Sequence, residues 1–229
     1  MNKRLTAILA HIADGAGVID VGTDHGYIPA ALSQRGYPGN ILASDINSGP
    51  LESARRTAES AGALDGIEFL LCDGLEKCDG SKIDTIVIAG MGGDTICGIL
   101  DRAEWCIAPG YTLILQPMTK AEILRFWLIN NGFEIVCDEY VRDGIIYQLL
   151  VARFGVSCRY SDAELYTGKL ENVRGDGLFP EYLDALIRRF EYEDGKMRSS
   201  AQGRDSLRAV FARHILDELH EMRDSFEKP

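Results

Sequence analysis

The 229-residue chain has no Gly-x-x-x-x-Gly-Lys-Ser/Thr string, which excludes a P-loop for nucleoside triphosphates. It has no apolar run long enough to span a bilayer. The opening Lys3-Arg-Leu-Thr-Ala-Ile-Leu-Ala-His11 is broken by His11 and Asp14, and no small-residue cleavage site follows, so no signal peptide is expected. Leu5, Ile8, Leu9 and Ile12 fall at helical spacing instead and predict a short amphipathic helix in a cytosolic protein. None of the six cysteines forms a Cys-x-x-Cys pair, and no histidine lies at zinc spacing from them. Reduced core thiols are therefore expected, with no disulfide and no metal. The chain also contains no repeat and no low-complexity segment.

Positive charge is short: 24 Lys and Arg stand against 35 Asp and Glu, a net charge of −11. That argues against indiscriminate nucleic-acid binding, which rests on neutralising phosphates. The deficit is uneven. Residues 1–150 carry 11 basic and 20 acidic groups, whereas residues 151–229 carry 13 and 15. The second segment is the more basic and its cations are mostly arginines, so a local basic face stays open.

Residues 17–153 alternate short apolar runs with helical patterns, the mark of a parallel sheet covered by helices. The runs predict strands over Gly17–Val21, Asn40–Ser44, Ile67–Cys72, Ile83–Ala89 and Tyr111–Leu115. Helices are predicted over Tyr27–Arg35, Pro50–Ala61, Asp94–Ala103 and Lys120–Asn130. Proline at position 50 suits a first helical turn, where its missing N–H needs no partner. Phe133–Tyr140 and Ile145–Phe154 then flank Val141-Arg-Asp-Gly144, a hairpin signal. Five parallel strands and a terminal hairpin resemble the seven-stranded plan of class I methyltransferases. From about Ser161 the pattern is helical. Leu183, Leu186, Ile187 and Phe190 form one stripe, and Leu207, Val210, Phe211, Ile215, Leu219 and Met222 another. An antiparallel helix pair with its break between Gly195 and Gly203 is predicted.

Ligands of such sheets sit at the carboxyl ends of the strands. The first predicted strand ends in Asp20, Gly22, Thr23, Asp24, His25 and Gly26, where glycines let the backbone turn close to a ligand. The second ends in Asp45-Ile46-Asn47, whose acid can accept from two ribose hydroxyls. The third ends in Asp73-Gly74, an acceptor for an adenine amino group. The fourth ends in Ala89-Gly90-Met91-Gly92-Gly93, small enough to admit a second reactant. Taken singly, each acid is as readily a helix cap or a turn residue; the succession favours a ligand. S-adenosylmethionine fits better than NAD. Asp24 replaces the middle glycine of Gly-x-Gly-x-x-Gly, and it would repel a pyrophosphate but suits a sulfonium with an α-ammonium group.

Asp20-Val-Gly-Thr-Asp-His-Gly-Tyr-Ile-Pro29, Asp45-Ile46, Cys72-Asp-Gly-Leu75, Ile88-Ala-Gly-Met-Gly-Gly93 and Leu115-Gln-Pro117 together resemble the bacterial TrmK family over nearly the whole chain. The resemblance implies a Rossmann-like catalytic domain over residues 1–156 and a C-terminal coiled-coil-like, tRNA-binding helical domain over residues 157–229. It also implies methyl transfer from S-adenosylmethionine to adenine N1 at position 22 of tRNA, in the D-arm region. Two departures stand out. Asp24 takes a place usually held by glycine in class I enzymes. No Asn/Asp-Pro-Pro-aromatic follows the fourth strand, which disfavours attack by an exocyclic amine.

Adenine N1 needs no strong base, so His25 is expected to shape the pocket. A carboxylate would steady the cationic product, with Asp24 the first candidate and Asp94 the second. Tyr27 and Tyr147 are candidate platforms for an unpaired base. Gln116 is expected after the fifth strand, either touching a ligand or bonding within the loop. His214 is read as a packing residue. Each has a plain structural alternative: a cap for Asp94, packing for both tyrosines. Arg188, Arg189, Lys196, Arg198, Arg204, Arg208 and Arg213 are candidate RNA contacts, or else a solvated face paired with acids. A monomer is expected. The competing readings are a small-molecule methyltransferase with the helical segment as a lid, a catalytically silent RNA-binding scaffold, and a dehydrogenase.

Overall fold

The computed structural model describes residues 2–156, 158–199 and 206–227. It divides the chain into two units, residues 1–158 and 159–229.

In the first unit, α1 (Lys3–Ala10) precedes β1 (Val18–Val21), α2 (Tyr27–Gln34), β2 (Ile41–Asp45), α3 (Ser48–Ser60) and β3 (Ile67–Leu71). Then come β4 (Thr85–Gly92), α4 (Gly93–Asp101), β5 (Thr112–Thr119), α5 (Ala121–Asn130), β6 (Phe133–Asp143) and β7 (Ile145–Phe154). The sheet order is β3-β2-β1-β4-β5-β7-β6. β3 to β5 are parallel, and β7 runs antiparallel to both β5 and β6. Every residue of β1 and β2 is buried, as expected where helices cover both faces of a parallel sheet. Ile8, Leu9 and Ile12 join Val18, Ile28, Ile41, Val87 and Ile114 in the core, so α1 is part of the fold.

Three boundaries differ from the sequence reading by three residues or more. β4 runs on through the glycine-rich segment as a bulged strand, with register shifts around Met91 and Gly90 at φ +80°. The strand therefore ends at Gly92, three residues beyond the predicted end at Ala89. β5 continues to Thr119, which places Gln116 inside the strand. The hairpin turn shrinks to Gly144 (φ +78°), because Val141–Asp143 stay paired with β7.

The buried guanidinium of Arg125 on α5 ties α5 to the hairpin. It donates to Asp138 of β6 at 2.5 Å and to Gln148 of β7 at 3.1 Å.

The second unit holds α6 (Asp162–Thr167), α7 (Leu170–Val173), α8 (Phe179–Arg198) and α9 (Leu207–Glu227). A Ser161–Glu164 capping box starts α6. α8 and α9 are antiparallel: Phe179 meets Phe226 at one end, and Asp194 meets Arg213 at the other. The helix passes through Gly195, so the break lies after Arg198. The apolar stripe of α9 is also rotated from the predicted one. Ala209, Ala212, Ile215, Leu219 and Met222 are buried, whereas Leu207, Val210 and Phe211 are at least half exposed. His214 does not pack. It is exposed, 3.3 Å from Asp162 and 3.4 Å from Glu218.

Among the described residues, no helix is long and apolar enough to cross a membrane. All six cysteines are outside disulfides.

Candidate active site

The carboxyl ends of β1, β2, β3 and β4 open onto one cleft of about 870 Å³, within the range of small-molecule sites. The sheet order places it where the chain crosses from β1 outward to β2 and, on the other side, to β4.

β1 delivers Asp20 at 5% exposure. Thr23 Oγ1 donates to its carboxylate at 2.7 Å. Burial nonetheless dominates and, against that hydrogen bond, pushes the Asp20 pKa up to about 6, with the neighbouring Asp45 charge adding to the rise. The chain then turns through Gly22 (φ +69°), Asp24 (φ +49°) and Gly26 (φ +66°). A Cβ on Gly22 would lie 2.1 Å from the Met91 Cε, so a side chain there would displace the Met91 methyl, and the positive φ itself favours glycine. Asp24 holds a left-handed conformation that a short polar side chain tolerates. Its exposed carboxylate lies 3.4 Å from His25 Nε2, and His25 Nδ1 is 3.0 Å from Ser53 Oγ.

At the end of β2, Asp45 is 8% exposed and accepts the Asn47 N–H at 2.9 Å on one oxygen. At the end of β3, Asp73 lines the cleft already engaged by an arginine. Arg102, from the end of α4, donates to it at 2.9 Å and lies 3.2 Å from Glu76.

The cleft gathers Asp20, Gly22, Thr23, Asp24, His25, Tyr27, Asp45, Ile46, Asp73, Gly74, Ala89, Gly90, Met91 and Asp94 of the predicted set. Three predicted residues lie outside its lining. Gly26 caps α2 and presses on Ala54, where a Cβ would come within 2.7 Å. Gly92 caps α4. Tyr147 sits within β7 beneath the guanidinium of Arg4, 5.4 Å from its ring centroid, and is therefore no platform for a base in this arrangement. Gln116 does not touch the cleft either. It is fully buried and bonded to Arg4 and Pro117.

Asp94 pairs with Lys120, whose hydrogen bond holds its carboxyl below the usual range. Tyr27 is 51% exposed at the rim, with its ring 5.5 Å from that of His25.

Sequence reasoning missed Asn2 at the cap of α1, Arg4 and Leu5 within it, Thr95, Ile99 and Arg102 from α4 and its end, and Met118 from β5. No strand-end acid or glycine turn marks these residues in the sequence; helix packing and strand order bring them to the cleft. The missing-metal expectation rested on spacing along the chain. The fold brings His11, Cys137 and Glu139 together, with His11 Nε2 2.8 Å from Glu139 Oε2.

In the second unit, Arg189 lies over the Phe190 ring and 3.8 Å from Glu193. Arg198 and Arg213 both reach the buried Asp194, at 2.5 and 3.5 Å. Lys196 lies 5.2 Å from the Tyr192 ring centroid. Arg188 and Arg208 are exposed and face no carboxylate among the described residues. Arg204 lies outside the described residues.

Comparison with known proteins agrees with this geometry. The chain is 35% identical over 157 residues to the Bacillus subtilis tRNA (adenine(22)-N(1))-methyltransferase, covering 68% of this chain and 66% of that protein. The structure of the B. subtilis m1A22 tRNA methyltransferase TrmK superposes with a TM-score of 0.80 at 26% identity, covering 100% of this chain and 97% of that one. Streptococcus pneumoniae Sp1610 in complex with S-adenosyl-L-methionine superposes with a TM-score of 0.78 at 27% identity, covering 96% and 98%. A family model described as a methyltransferase domain matches residues 1–150. With more than half of its length inside that match, and the glycine turn and acid-bearing strand ends within it, the chain belongs to the methyltransferase domain family.

Proposed function

We propose that the protein transfers a methyl group from S-adenosylmethionine to N1 of an adenine in tRNA, at position 22. The observation that carries this is the convergence of Asp20, Asp45 and Asp73 from three adjacent strands on one cleft, in a chain 35% identical to a tRNA (adenine(22)-N(1))-methyltransferase.

The donor set fits the cofactor. Asp45 keeps one carboxylate oxygen without a protein partner among the described residues, ready for ribose hydroxyls. Asp20 gives the buried acid that a cationic methionine end requires. Met91 and Ile46 supply apolar walls. Bound there, S-adenosylmethionine supplies an electrophilic methyl group on a sulfonium.

The protein's own task is placement. Adenine N1 carries an in-plane lone pair near neutral pH, and a well-oriented bound pair is worth about 7–11 kcal/mol. Asp24 is the better-placed group to steady positive charge on the methylated base, since its carboxylate is exposed while that of Asp94 is tied to Lys120. N1 is engaged in a base pair within a helix, so the target must be unpaired or extruded; Tyr27 at the rim is the remaining aromatic platform.

We assign methyl transfer to residues 1–156 and tRNA holding to residues 157–229, in a cytosolic monomer. Among the described tail cations, Arg188 and Arg208 are exposed and face no carboxylate, which suits them to phosphates, whereas Arg189 and Arg198 also brace the helices.

The test is transfer from labelled S-adenosylmethionine to unmodified tRNA transcripts, followed by nucleoside mass spectrometry. 1-Methyladenosine mapping to position 22 is expected. Confirmed cofactor binding without any methylated nucleoside would overturn the tRNA assignment and favour a small-molecule acceptor.

A further inference from the structure

Away from the strand-end cleft, α1 and the edge strand β6 bring three metal-ligating side chains together: His11, Cys137 and Glu139. None of the three lines that cleft. Their donor atoms lie within 4.8 Å of one another, and His11 Nε2 is 2.8 Å from Glu139 Oε2. All three are partly buried, so the cluster is held by the fold and still open to an ion from solvent.

The fold fixes each of them. Ile8, Leu9 and Ile12 seat α1 in the core, and Cys137 packs against the same cluster. His11 is the C-cap of α1, its N–H donating back to the Ile8 and Leu9 carbonyls. In β6 the register shifts between Ile135 and Cys137. A bulge of this kind inserts one residue and reverses the face taken by the side chains that follow. Asp138 thereby meets Arg125 of α5, while Cys137 and Glu139, two positions apart, share the α1 face.

His11 and Glu139 by themselves form an ordinary ion pair; the thiol turns the pair into a ligand set. Calcium and magnesium take oxygen ligands, whereas sulfur, nitrogen and a single carboxylate suit zinc. One thiolate and one carboxylate bring two negative charges, which a divalent ion cancels in a partly buried place. The C-terminal end of the α1 dipole favours the cation further. Ligand atoms around a tetrahedral zinc stand about 3.3–3.6 Å apart, so the His11–Glu139 pair has to open by only about 0.6 Å.

We propose that His11, Cys137 and Glu139 form a zinc site that pins α1 to the edge of the sheet, with the fourth position left to water. On binding, the Cys137 thiol gives its proton to solvent and the sulfur takes the metal. The site needs neither a methyl donor nor tRNA, and it stands apart from the methyl-transfer reading.

The test uses the full chain, stripped with a chelator under reducing conditions and titrated with cobalt(II), then with zinc. Cobalt should bind at one ion per chain with a thiolate charge-transfer band in the near ultraviolet and the visible bands of a tetrahedral ion, and zinc should displace it. The unfolding midpoint should rise with zinc concentration. Cys137→Ser should erase the charge-transfer band and weaken zinc by more than the roughly 10- to 100-fold that loss of an outer-shell partner costs. His11→Gln keeps a side-chain donor for Glu139; it should weaken zinc comparably while leaving the metal-free midpoint near that of wild type. Cys158→Ser removes an exposed thiol outside the cluster and should leave binding unchanged. Absence of the charge-transfer band in wild type, its survival in Cys137→Ser, or unchanged zinc affinity in His11→Gln would each overturn the site. A misfolded Cys137→Ser leaves the wild-type titration and His11→Gln to decide.

Discussion

The two units handle charge in opposite ways. In residues 1–158, charged groups at the strand ends are held by a buried scaffold and gather in a cleft. Asp20 and Asp45 are nearly inaccessible, and Arg125 is wholly so. In residues 159–229, arginines line exposed helix faces, and several are occupied by acids of the same helix pair, such as Glu193 and Asp194. A parallel sheet leaves little freedom at its strand ends, so a carboxylate there can do work on a ligand. The helix pair leaves its arginines largely in water, where each pairing is worth less individually.

The sharpest way to break this comparison is to remove one acid from each unit. Asp138→Ala leaves the buried Arg125 without its carboxylate and should cost about 3–5 kcal/mol in denaturant unfolding. Asp194→Ala releases two partly exposed arginines and should cost about 1 kcal/mol. Equal losses would erase the distinction.

Asp20 gives the next largest effect. Burial favours its neutral form, so the fold retains a proton that the unfolded chain loses above its ordinary pKa of 3.8. Stability from this group should therefore fall as pH rises from about 4 to about 6, and stay reduced above that. Affinity for a cationic cofactor should move the other way and rise through the same window. Asp20→Asn should flatten both profiles, which unfolding and calorimetric titrations at pH 4.5–7.5 would reveal.

Asp45→Ala should weaken S-adenosylmethionine binding by about 10- to 100-fold while leaving the unfolding midpoint within a few degrees of wild type. A large loss of stability would instead make Asp45 a structural acid. The smallest effect belongs to the tail. Arg188→Ala should raise the tRNA KM a few-fold without changing cofactor affinity, and more than Arg189→Ala, because Arg189 is shared with Glu193 and the Phe190 ring. Identical, unaltered KM values for both would remove the tail from the tRNA interface.

Legibility followed the same division. β1, β2 and the glycine turn were readable because residues adjacent in sequence stay adjacent at a strand end, and positive φ at Gly22 and Gly26 demands glycine. The extension of β4 and β5 was not readable, since glycine and proline are ordinarily strand breakers and only the bulged pairing of Ala89–Gly92 with Gln116–Thr119 overrides them. The face of α9 was misjudged for a related reason. Leu207, Val210 and Phe211 satisfy a helical period as well as Ala209 and Ala212 do, and small alanines allow close approach of a neighbouring helix.

The order of apolar runs and the acids at their ends were enough to give the sheet and a ligand site at its strand ends, because both follow from local periodicity and from backbone turns a few residues long; the family came from the resemblance of whole motifs. The partners of those acids came from folding alone. Arg102 on Asp73, Lys120 on Asp94, Arg125 on Asp138 and the placement of Arg4 against Gln116 and Tyr147 join residues up to 143 positions apart, brought together by helix packing and strand order. No spacing along a chain encodes which of several equivalent helix faces will be buried, and it is that burial which sets α1 against β6 and brings His11 to Cys137 and Glu139.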